Sequence, residues 1–270
     1  MLVGDYQNDD AATNGGAAHL YDARTGRYLR KLLPADLTES SIFGNSVALS
    51  GQLAVVGTVF GGGGVYGFDA RTGRQLWKID SVVDSFGFGF DVAVSGQTLL
   101  VGAPFSMDGG QSGAGLAYVY DLSGPMPILL QTLSRGVDVA QDSRFGGSVA
   151  LCGPLALVGC ADNNGSSSGF AYLFDAASGV RLQKWTDPDL FFGASVAVEA
   201  GRVVVGSRGS GEVRVFDPDT GAEEGYSPIA VPDLGTSNTV SVSGNLLLIG
   251  EKTPIRDRAA LLGRRACSTW

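Results

Sequence analysis

The sequence predicts an all-β protein built from about five repeats of four short strands. Three observations lead to this prediction: a recurring Phe-Gly segment, strand-like runs that end at glycine, and Asp-x-x-Thr/Ser-Gly turns. Four strands in about 47 residues is typical of one blade of a β-propeller. Glycine supplies 41 of the 270 residues, and this high share suits a chain with many tight turns.

The Phe-Gly segment opens each repeat and continues into the first strand. The clear copies begin at Phe43-Gly44, Phe88-Gly89, Phe145-Gly146 and Phe192-Gly193. A degenerate copy that starts at Thr236 lacks the pair. Successive starts differ by 45, 57, 47 and 44 residues (43 to 88, 88 to 145, 145 to 192, 192 to 236). We expect the four phenylalanines to pack between neighbouring blades.

The second strand of each repeat ends at glycine, as in Leu53 to Gly57, and the third ends at an aspartate. The strand-ending aspartates are Asp22, Asp69, Asp121, Asp175 and Asp217. Most of them begin an Asp-x-x-Thr/Ser-Gly turn, in which the carboxylate can accept backbone N–H bonds and the glycine can take the left-handed conformation. We interpret these aspartates as structural rather than catalytic.

The repeats divide the chain into a propeller region, 1–250, and a tail, 251–270. The repeats fall near 2–41, 42–85, 86–143, 144–190 and 191–235, with a partial copy at 236–250. The tail carries five basic and two acidic residues and has no repeat pattern, so we expect it to lie outside the fold and to be disordered. Two interpretations of the ends stay open: strand 239–243 closes the ring beside the N-terminal partial blade, or the chain is a fragment of a larger ring.

The chain resembles the FG-GAP repeat family, the β-propeller repeats of integrin α-subunit heads. The resemblance rests on Phe-Gly-x-Ser-Val-Ala at 43–48, 145–150 and 192–197, and on Val101-Gly-Ala-Pro104. It implies an extracellular or cell-surface recognition or adhesion module that is not an enzyme and binds a protein or glycan through its loop face. A weaker likeness to quinoprotein-type propeller repeats lies in Phe68 to Trp77.

Calcium is the one cofactor that the resemblance offers, because many FG-GAP propellers carry Asp-x-Asp-x-Asp-Gly loops. Calcium takes six to eight oxygen ligands. The loops at the corresponding places hold the candidate ligands Asp5, Asp9, Asp10, Asp108, Asp162 and Asn164. None of these loops has the full alternation, so a calcium site and turns that need no metal both remain open.

Composition and motifs exclude several other functions. A net charge of −8 and a pI near 4.6 disfavour nucleic acid as a partner. No apolar run is long enough for a membrane span. With a single histidine and no Gly-x-Ser-x-Gly motif, the sequence shows no catalytic constellation. The alternatives that remain are a quinoprotein-like or hydrolase-associated propeller enzyme and a fragment without autonomous activity.

The cysteines predict no disulfide within a blade. Cys152 and Cys160 end successive strands around a Gly-Pro turn, so we expect Cys152 to face Leu155 and Cys160 to lie near Gly147. At ~3.3 Å per residue their Cα atoms would be on the order of 15 Å apart, which is beyond the reach of a disulfide.

Overall fold

Runs of β-branched, aromatic and small apolar residues form twenty strands in the residues that the computed structural model describes. These residues are 1–60, 64–81, 86–138, 141–161, 169–188, 191–199, 201–208, 212–224, 238–243 and 246–251. Within them there is no α-helix, and one short 3-10 turn spans Gly136–Asp138. The predicted all-β class is confirmed. No helix in these ranges is long and apolar enough to cross a membrane.

The strands form six antiparallel sheets in chain order. Sheet 1 contains β1 (Leu2–Asp5), β2 (Ala17–Tyr21) and β3 (Tyr28–Leu32). Sheet 2 contains β4 (Ser46–Ser50), β5 (Leu53–Thr58), β6 (Gly64–Asp69) and β7 (Gln75–Asp80). Sheet 3 contains β8 (Asp91–Ser95), β9 (Thr98–Ala103), β10 (Leu116–Asp121) and β11 (Ile128–Leu133).

The remaining sheets repeat the same order of strands. Sheet 4 contains β12 (Phe145–Cys152), β13 (Leu155–Cys160), β14 (Gly169–Asp175) and β15 (Arg181–Asp187). Sheet 5 contains β16 (Phe192–Glu199), β17 (Arg202–Ser207) and β18 (Val213–Phe216), and sheet 6 contains β19 (Asn238–Ser243) and β20 (Leu246–Glu251). Several four-stranded antiparallel sheets in sequence are the arrangement expected of a propeller.

The first strands of successive sheets lie side by side, in the order β4, β8, β12, β16 and β19. The fold therefore has an inner edge, which these strands form, and an outer edge, which the fourth strands β7, β11 and β15 form. The described residues do not close the sheets into a ring.

Apolar side chains from neighbouring sheets form the cores between them. Four of these cores each contain one of the fully buried phenylalanines Phe43, Phe88, Phe145 and Phe192, whereas the core between sheets 5 and 6 consists of alanine, valine, leucine and isoleucine. Phe145, for example, packs edge-on against Tyr172 and Phe174 of its own sheet, with ring centroids 5.6 and 6.0 Å apart. Leu100 and Val119 of sheet 3 belong to the same core. The Phe-Gly segment thus fills the gap between one sheet and the next.

The outer strands share an irregularity that the sequence did not indicate. In sheet 2, Gly67 pairs with Trp77 but the adjacent Phe68 pairs with Gln75, so Leu76 has no partner and forms a β-bulge. The equivalent bulge residues in the other sheets are Leu29, Leu130 and Leu182. A bulge twists an edge strand and makes it a poorer template for pairing with another chain.

A second bulge corrects the predicted position of Cys160. Cys152 pairs with Leu155 as expected, but Cys160 pairs with Phe145 and not near Gly147. The ladder shifts between Phe145 and Ser148, so the intervening glycines have no partner on β13. Within the described residues neither Cys152 nor Cys160 forms a disulfide, and the Cys160 thiol donates a hydrogen bond to Ser143 O over 3.0 Å.

Candidate functional site

The antiparallel strands give the molecule two faces that differ in their connections. The short turns between first and second strands and between third and fourth strands lie together; Ala70 N–H, for example, donates to Gln52 O over 2.7 Å. We call this the turn face. The opposite side, the loop face, carries the longer loops between second and third strands and the connections between sheets.

A row of side chains links the first strands across sheet boundaries. In each of sheets 2 to 5 a hydroxyl or carboxylate near the start of the first strand accepts a backbone N–H bond from the next sheet. The acceptor–donor pairs are Ser46 with Val92 (3.0 Å), Asp91 with Val149 (2.7 Å), Ser148 with Val196 (3.1 Å) and Ser195 with Val240 (2.8 Å). The conspicuous Ser of the Phe-Gly-x-Ser-Val segment therefore joins one sheet to the next.

Asp91 is the member of this row whose importance the sequence did not reveal. It occupies the place where the other sheets have serine, and its carboxylate also accepts a hydrogen bond from Ser46 Oγ (2.8 Å). It thereby connects sheets 2, 3 and 4. Burial raises the pKa of Asp91 to about 6, while bonds from Val149 N–H, Ser46 and Val92 N–H oppose the rise.

Glycines allow adjacent sheets to approach closely beside this row of hydroxyl and carboxylate side chains. A Cβ on Gly102 of β9 would overlap the carbonyl oxygen of Gly146 in the next sheet. Gly146 itself has a φ of +87°, in the left-handed region that favours glycine. The Gly of the Phe-Gly pair and the Gly that ends a second strand are therefore needed where two sheets meet.

The strand-ending aspartates are all engaged in turns. The Oδ1 atom of Asp69 accepts the N–H of Thr72 at 2.7 Å. The equivalent carboxylates of Asp22, Asp121, Asp175 and Asp217 accept backbone N–H bonds in the same way. Hydrogen bonds within the turns lower the pKa of each of the five carboxyls.

The three acidic candidates for a metal site in sheet 1 have different partners. Asp5 lies 3.6 Å from His19 Nε2, and Asp9 accepts the N–H of Asn14 over 2.6 Å. Asp10 pairs with the ammonium of Lys31 at 2.8 Å, and this bond lowers the pKa of Asp10. The Lys31 ammonium thus neutralises the Asp10 carboxylate.

The other metal candidates are not gathered with them. Asp108 lies in the loop that follows β9, where its backbone pairs with Gln111. Asp162 and Asn164 lie outside the described residues. Within the ranges that are described, no three or more His, Cys, Asp or Glu side chains are grouped as metal ligands would be.

A small polar cavity of about 20 Å³ opens on the loop face beside sheet 2. Lys78 lies at its wall, 2.7 Å from both Asp36 and Asp80, and 5.5 Å from the ring centre of Tyr66. Burial and the nearby charge of Asp36 raise the pKa of the Tyr66 phenol to about 12. A cavity of this size holds about one water molecule, and both Tyr66 and Lys78 are held in their protonated forms.

An exposed apolar patch lies on the loop face where sheets 2 and 3 meet. Its members are Phe60, Phe86 and Met107, which are 56%, 66% and 53% exposed. Phe86 O accepts the N–H of Phe105, two residues before Met107. A Cβ on Gly89, three residues after Phe86, would lie 3.0 Å from the carbonyl of Thr58, two residues before Phe60. These backbone contacts place the three residues in neighbouring loops of the loop face, at the junction of sheets 2 and 3.

Comparison with known proteins agrees with this architecture. The FG-GAP repeat model matches residues 28–68 and 83–120, so the chain carries FG-GAP repeats. No curated protein matches the chain. The inter-sheet pairs Phe43-Gly44 and Phe88-Gly89 lie within the matched residues.

Two solved structures have a similar fold at 18% sequence identity. One is the computationally designed Ika8 protein, with a TM-score of 0.60 over 88% of this chain and 63% of that one. The other is a chain of the Mitotic Checkpoint Complex, with a TM-score of 0.55 over 77% of this chain and 58% of that one. The chain therefore spans less than two thirds of the length of either.

Proposed function

We propose that this protein is a non-enzymatic recognition module that binds a protein or glycan partner through its loop face. The observation that carries the proposal is the exposed patch of Phe60, Phe86 and Met107. Large apolar side chains clustered on a surface are typical of binding sites, and aromatic residues supply much of the binding energy in such sites. A rigid stack of sheets supports the loops that present them.

The FG-GAP repeats support the same proposal, because proteins with these repeats are generally non-enzymatic and typically extracellular. We extend the proposal to five such repeats arranged as a propeller and to an extracellular or cell-surface location. Adhesion is the role that this combination favours. The proposal includes a calcium site with Asp162 and Asn164 as ligands, and this part of it rests on the sequence alone.

The test compares two double variants with the wild type. Phe60→Ser with Phe86→Ser removes the two aromatic side chains of the patch. Ile128→Ser with Leu129→Ser is the matched control on the outer strand, where the side chains are 60% and 44% exposed. Binding to a panel of immobilised extracellular proteins and glycans is measured by biolayer interferometry.

We expect at least one ligand whose binding is unchanged in the control and about tenfold weaker in the patch variant, which is a loss of ~1.4 kcal/mol. Equal binding of every ligand by all three proteins would contradict the proposal. A bound chromophore, or turnover of a panel member, would favour the alternative of a propeller enzyme.

A further inference from the structure

The small cavity beside sheet 2 adjoins the exposed apolar patch, because Phe60 belongs to both. Phe60 lines the cavity, and its side chain is 56% exposed. The polar side chains in the cavity wall are those of Asp36, Ser41, Thr58, Tyr66 and Lys78. An exposed aromatic ring and a polar recess therefore lie side by side on the loop face.

Hydrogen bonds fix the backbone that carries Phe60 to the wall of the cavity. The N–H of Phe60 donates to Ser41 O over 3.3 Å, and the Thr58 hydroxyl donates to the same carbonyl. Ser41 is anchored in turn, because its Oγ donates to Thr38 O over 2.8 Å. The base of the Phe60 side chain is therefore held in a fixed position relative to the cavity.

The cavity wall offers both donors and an acceptor of hydrogen bonds. Hydrogen bonding from Lys78 lowers the pKa of Asp36, so the carboxylate is ionised and accepts. Burial raises the pKa of the Tyr66 phenol to about 12, so the phenol keeps its proton. The Lys78 ammonium lies 2.7 Å from Asp36 Oδ2, and the two charges offset each other. A neutral group that donates and accepts at once suits such a wall.

The equivalent place between sheets 3 and 4 is built differently. Tyr172 takes the position of Tyr66, since each pairs with a lysine on the fourth strand of its own sheet. The buried Arg135 follows the fourth strand of sheet 3 as Asp36 follows that of sheet 1, and its Nε donates to the Tyr172 hydroxyl over 3.1 Å. A long guanidinium thus replaces the short carboxylate. The polar recess beside sheet 2 is therefore not a requirement of the repeat.

We infer that the loop-face ligand is a glycan, with one sugar ring against Phe60 and one of its hydroxyl groups in the cavity. The inference rests on the loop-face proposal and names the ligand class of that site. A pyranose ring has an apolar C–H face and, at its edge, hydroxyl groups that each donate and accept. The cavity of about 20 Å³ has room for one water molecule, and a hydroxyl group has that size.

Peptide side chains match this arrangement less well. Carboxylate, carboxamide and guanidinium groups are larger than the cavity, and a further charge would compete with the ion pair of Asp36 and Lys78. A serine or threonine hydroxyl is small enough, but it brings no flat apolar face to the Phe60 ring. Ligand sites combine an apolar surface with a few placed polar groups, and a sugar supplies the partners of both in one ring.

The test measures binding of the methyl glycosides of glucose, galactose and mannose by saturation-transfer NMR titration, with N-acetylserinamide as the peptide probe. Asp36→Asn and Asp80→Asn are a matched pair, because each carboxylate lies 2.7 Å from Lys78 Nζ and, of the two, only Asp36 lines the cavity. Phe60→Ser and Phe86→Ser are a second pair, of which only Phe60 lines the cavity. The monodeoxy analogues of the tightest-binding hexoside are measured on the wild type.

The wild type is expected to bind at least one of the hexosides. Asp36→Asn should weaken this binding about fivefold or more, and Asp80→Asn less than about twofold. Phe60→Ser should weaken it about fivefold or more, with little effect of Phe86→Ser on so small a ligand. One monodeoxy analogue should bind about tenfold or more weakly than the others, because it leaves the polar groups of the cavity unpaired.

The deoxy analogues test the cavity without altering the protein, so the inference does not depend on how well the variants fold. No binding of any hexoside, equal losses in Asp36→Asn and Asp80→Asn, or equal binding of all the deoxy analogues would overturn it. Tighter binding of N-acetylserinamide than of the hexosides would overturn it in favour of a peptide. A protein ligand that needs Phe60 and Phe86, with no hexoside bound, would overturn this inference alone and leave the loop-face proposal standing.

Discussion

Oδ2 of Asp91 in sheet 3 accepts a hydrogen bond from the backbone N–H of Val149 in sheet 4, over 2.7 Å. The other oxygen of the same carboxylate accepts one from Ser46 of sheet 2. One side chain therefore connects three sheets at the inner edge of the fold. Serine performs the simpler, two-sheet version of this role elsewhere, as Ser148 does for Val196.

The stability of the Asp91→Asn variant relative to the wild type should be higher at pH 7 than at pH 4. Burial raises the pKa of Asp91 to about 6, above the value of about 3.9 in an unfolded chain. The folded state therefore binds the proton more tightly, and this group adds stability as pH falls from about 7 to 4. A shift of about 2 units corresponds to at most ~3 kcal/mol. The asparagine variant has no such titration.

The measurement is the free energy of urea unfolding for both proteins between pH 4 and 7. The stability of Asp91→Asn relative to the wild type should fall as pH falls, which separates this effect from the turn aspartates that both proteins share. A difference between the two that is constant across the range would contradict the raised pKa.

Removing a phenylalanine between the sheets should leave a large cavity. Phe145 is fully buried against Tyr172 and Phe174, so Phe145→Ala should cost roughly 3–5 kcal/mol in unfolding free energy. Phe86→Ala is the control, since its side chain is 66% exposed, and it should cost less than about 0.5 kcal/mol. A cost under about 1 kcal/mol for Phe145→Ala would show that the ring does not hold the sheets together.

A methyl group at Gly102 should separate sheets 3 and 4. Because the added Cβ would meet the backbone carbonyl of Gly146, neither side can yield by changing a rotamer, and Gly102→Ala should cost about 3 kcal/mol or more. Gly124→Ala is the matched control, since the nearest atom to its new Cβ is 3.6 Å away. Equal melting temperatures for the two variants would be inconsistent with the close approach of the sheets.

Ser148→Ala should weaken the connection between sheets 4 and 5. The change leaves the N–H of Val196, which now donates to Ser148 Oγ at 3.1 Å, buried without its acceptor. The expected loss is about 1–3 kcal/mol of unfolding free energy. Thr132→Ala, on the exposed outer strand, tests whether loss of a hydroxyl alone has this effect, and it should change stability by less than about 0.5 kcal/mol. Similar losses in the two variants would argue against the bond between sheets.

Local signals predicted most of the strands and turns. The Phe-Gly-x-Ser-Val segments and the Asp-x-x-Thr/Ser-Gly turns each fix a backbone conformation within a few residues, so their effect can be inferred without knowing the fold. The bulge at Leu76 and its equivalents could not be predicted, because a bulge is a property of pairing between two strands. The register shift between Phe145 and Ser148 is also a property of strand pairing, so the sequence predicted the wrong position for Cys160 on the neighbouring strand.

The predicted sites depended on contacts between distant residues. Asp5, Asp9 and Asp10 are close in sequence, but nothing in the sequence shows that Lys31, on another strand, pairs with Asp10. For Asp91 the sequence offers one indication, a carboxylate where the other clear copies have serine. Its role in joining the sheets became evident only from the position of Val149, whose N–H it accepts.

The sheets are joined into one unit along their inner edge, where the first strands lie side by side. Trp77 of sheet 2 and Trp185 of sheet 4 report on two separate parts of that unit. In a Trp270→Phe background, thermal unfolding is followed by fluorescence of each single-tryptophan variant and by far-UV circular dichroism, with calcium and then with a chelator. We predict one cooperative transition with coincident midpoints for all probes, and a midpoint raised by calcium only if a native-state site exists. Separate midpoints for Trp77 and Trp185 would show that the sheets unfold independently, and would contradict the account.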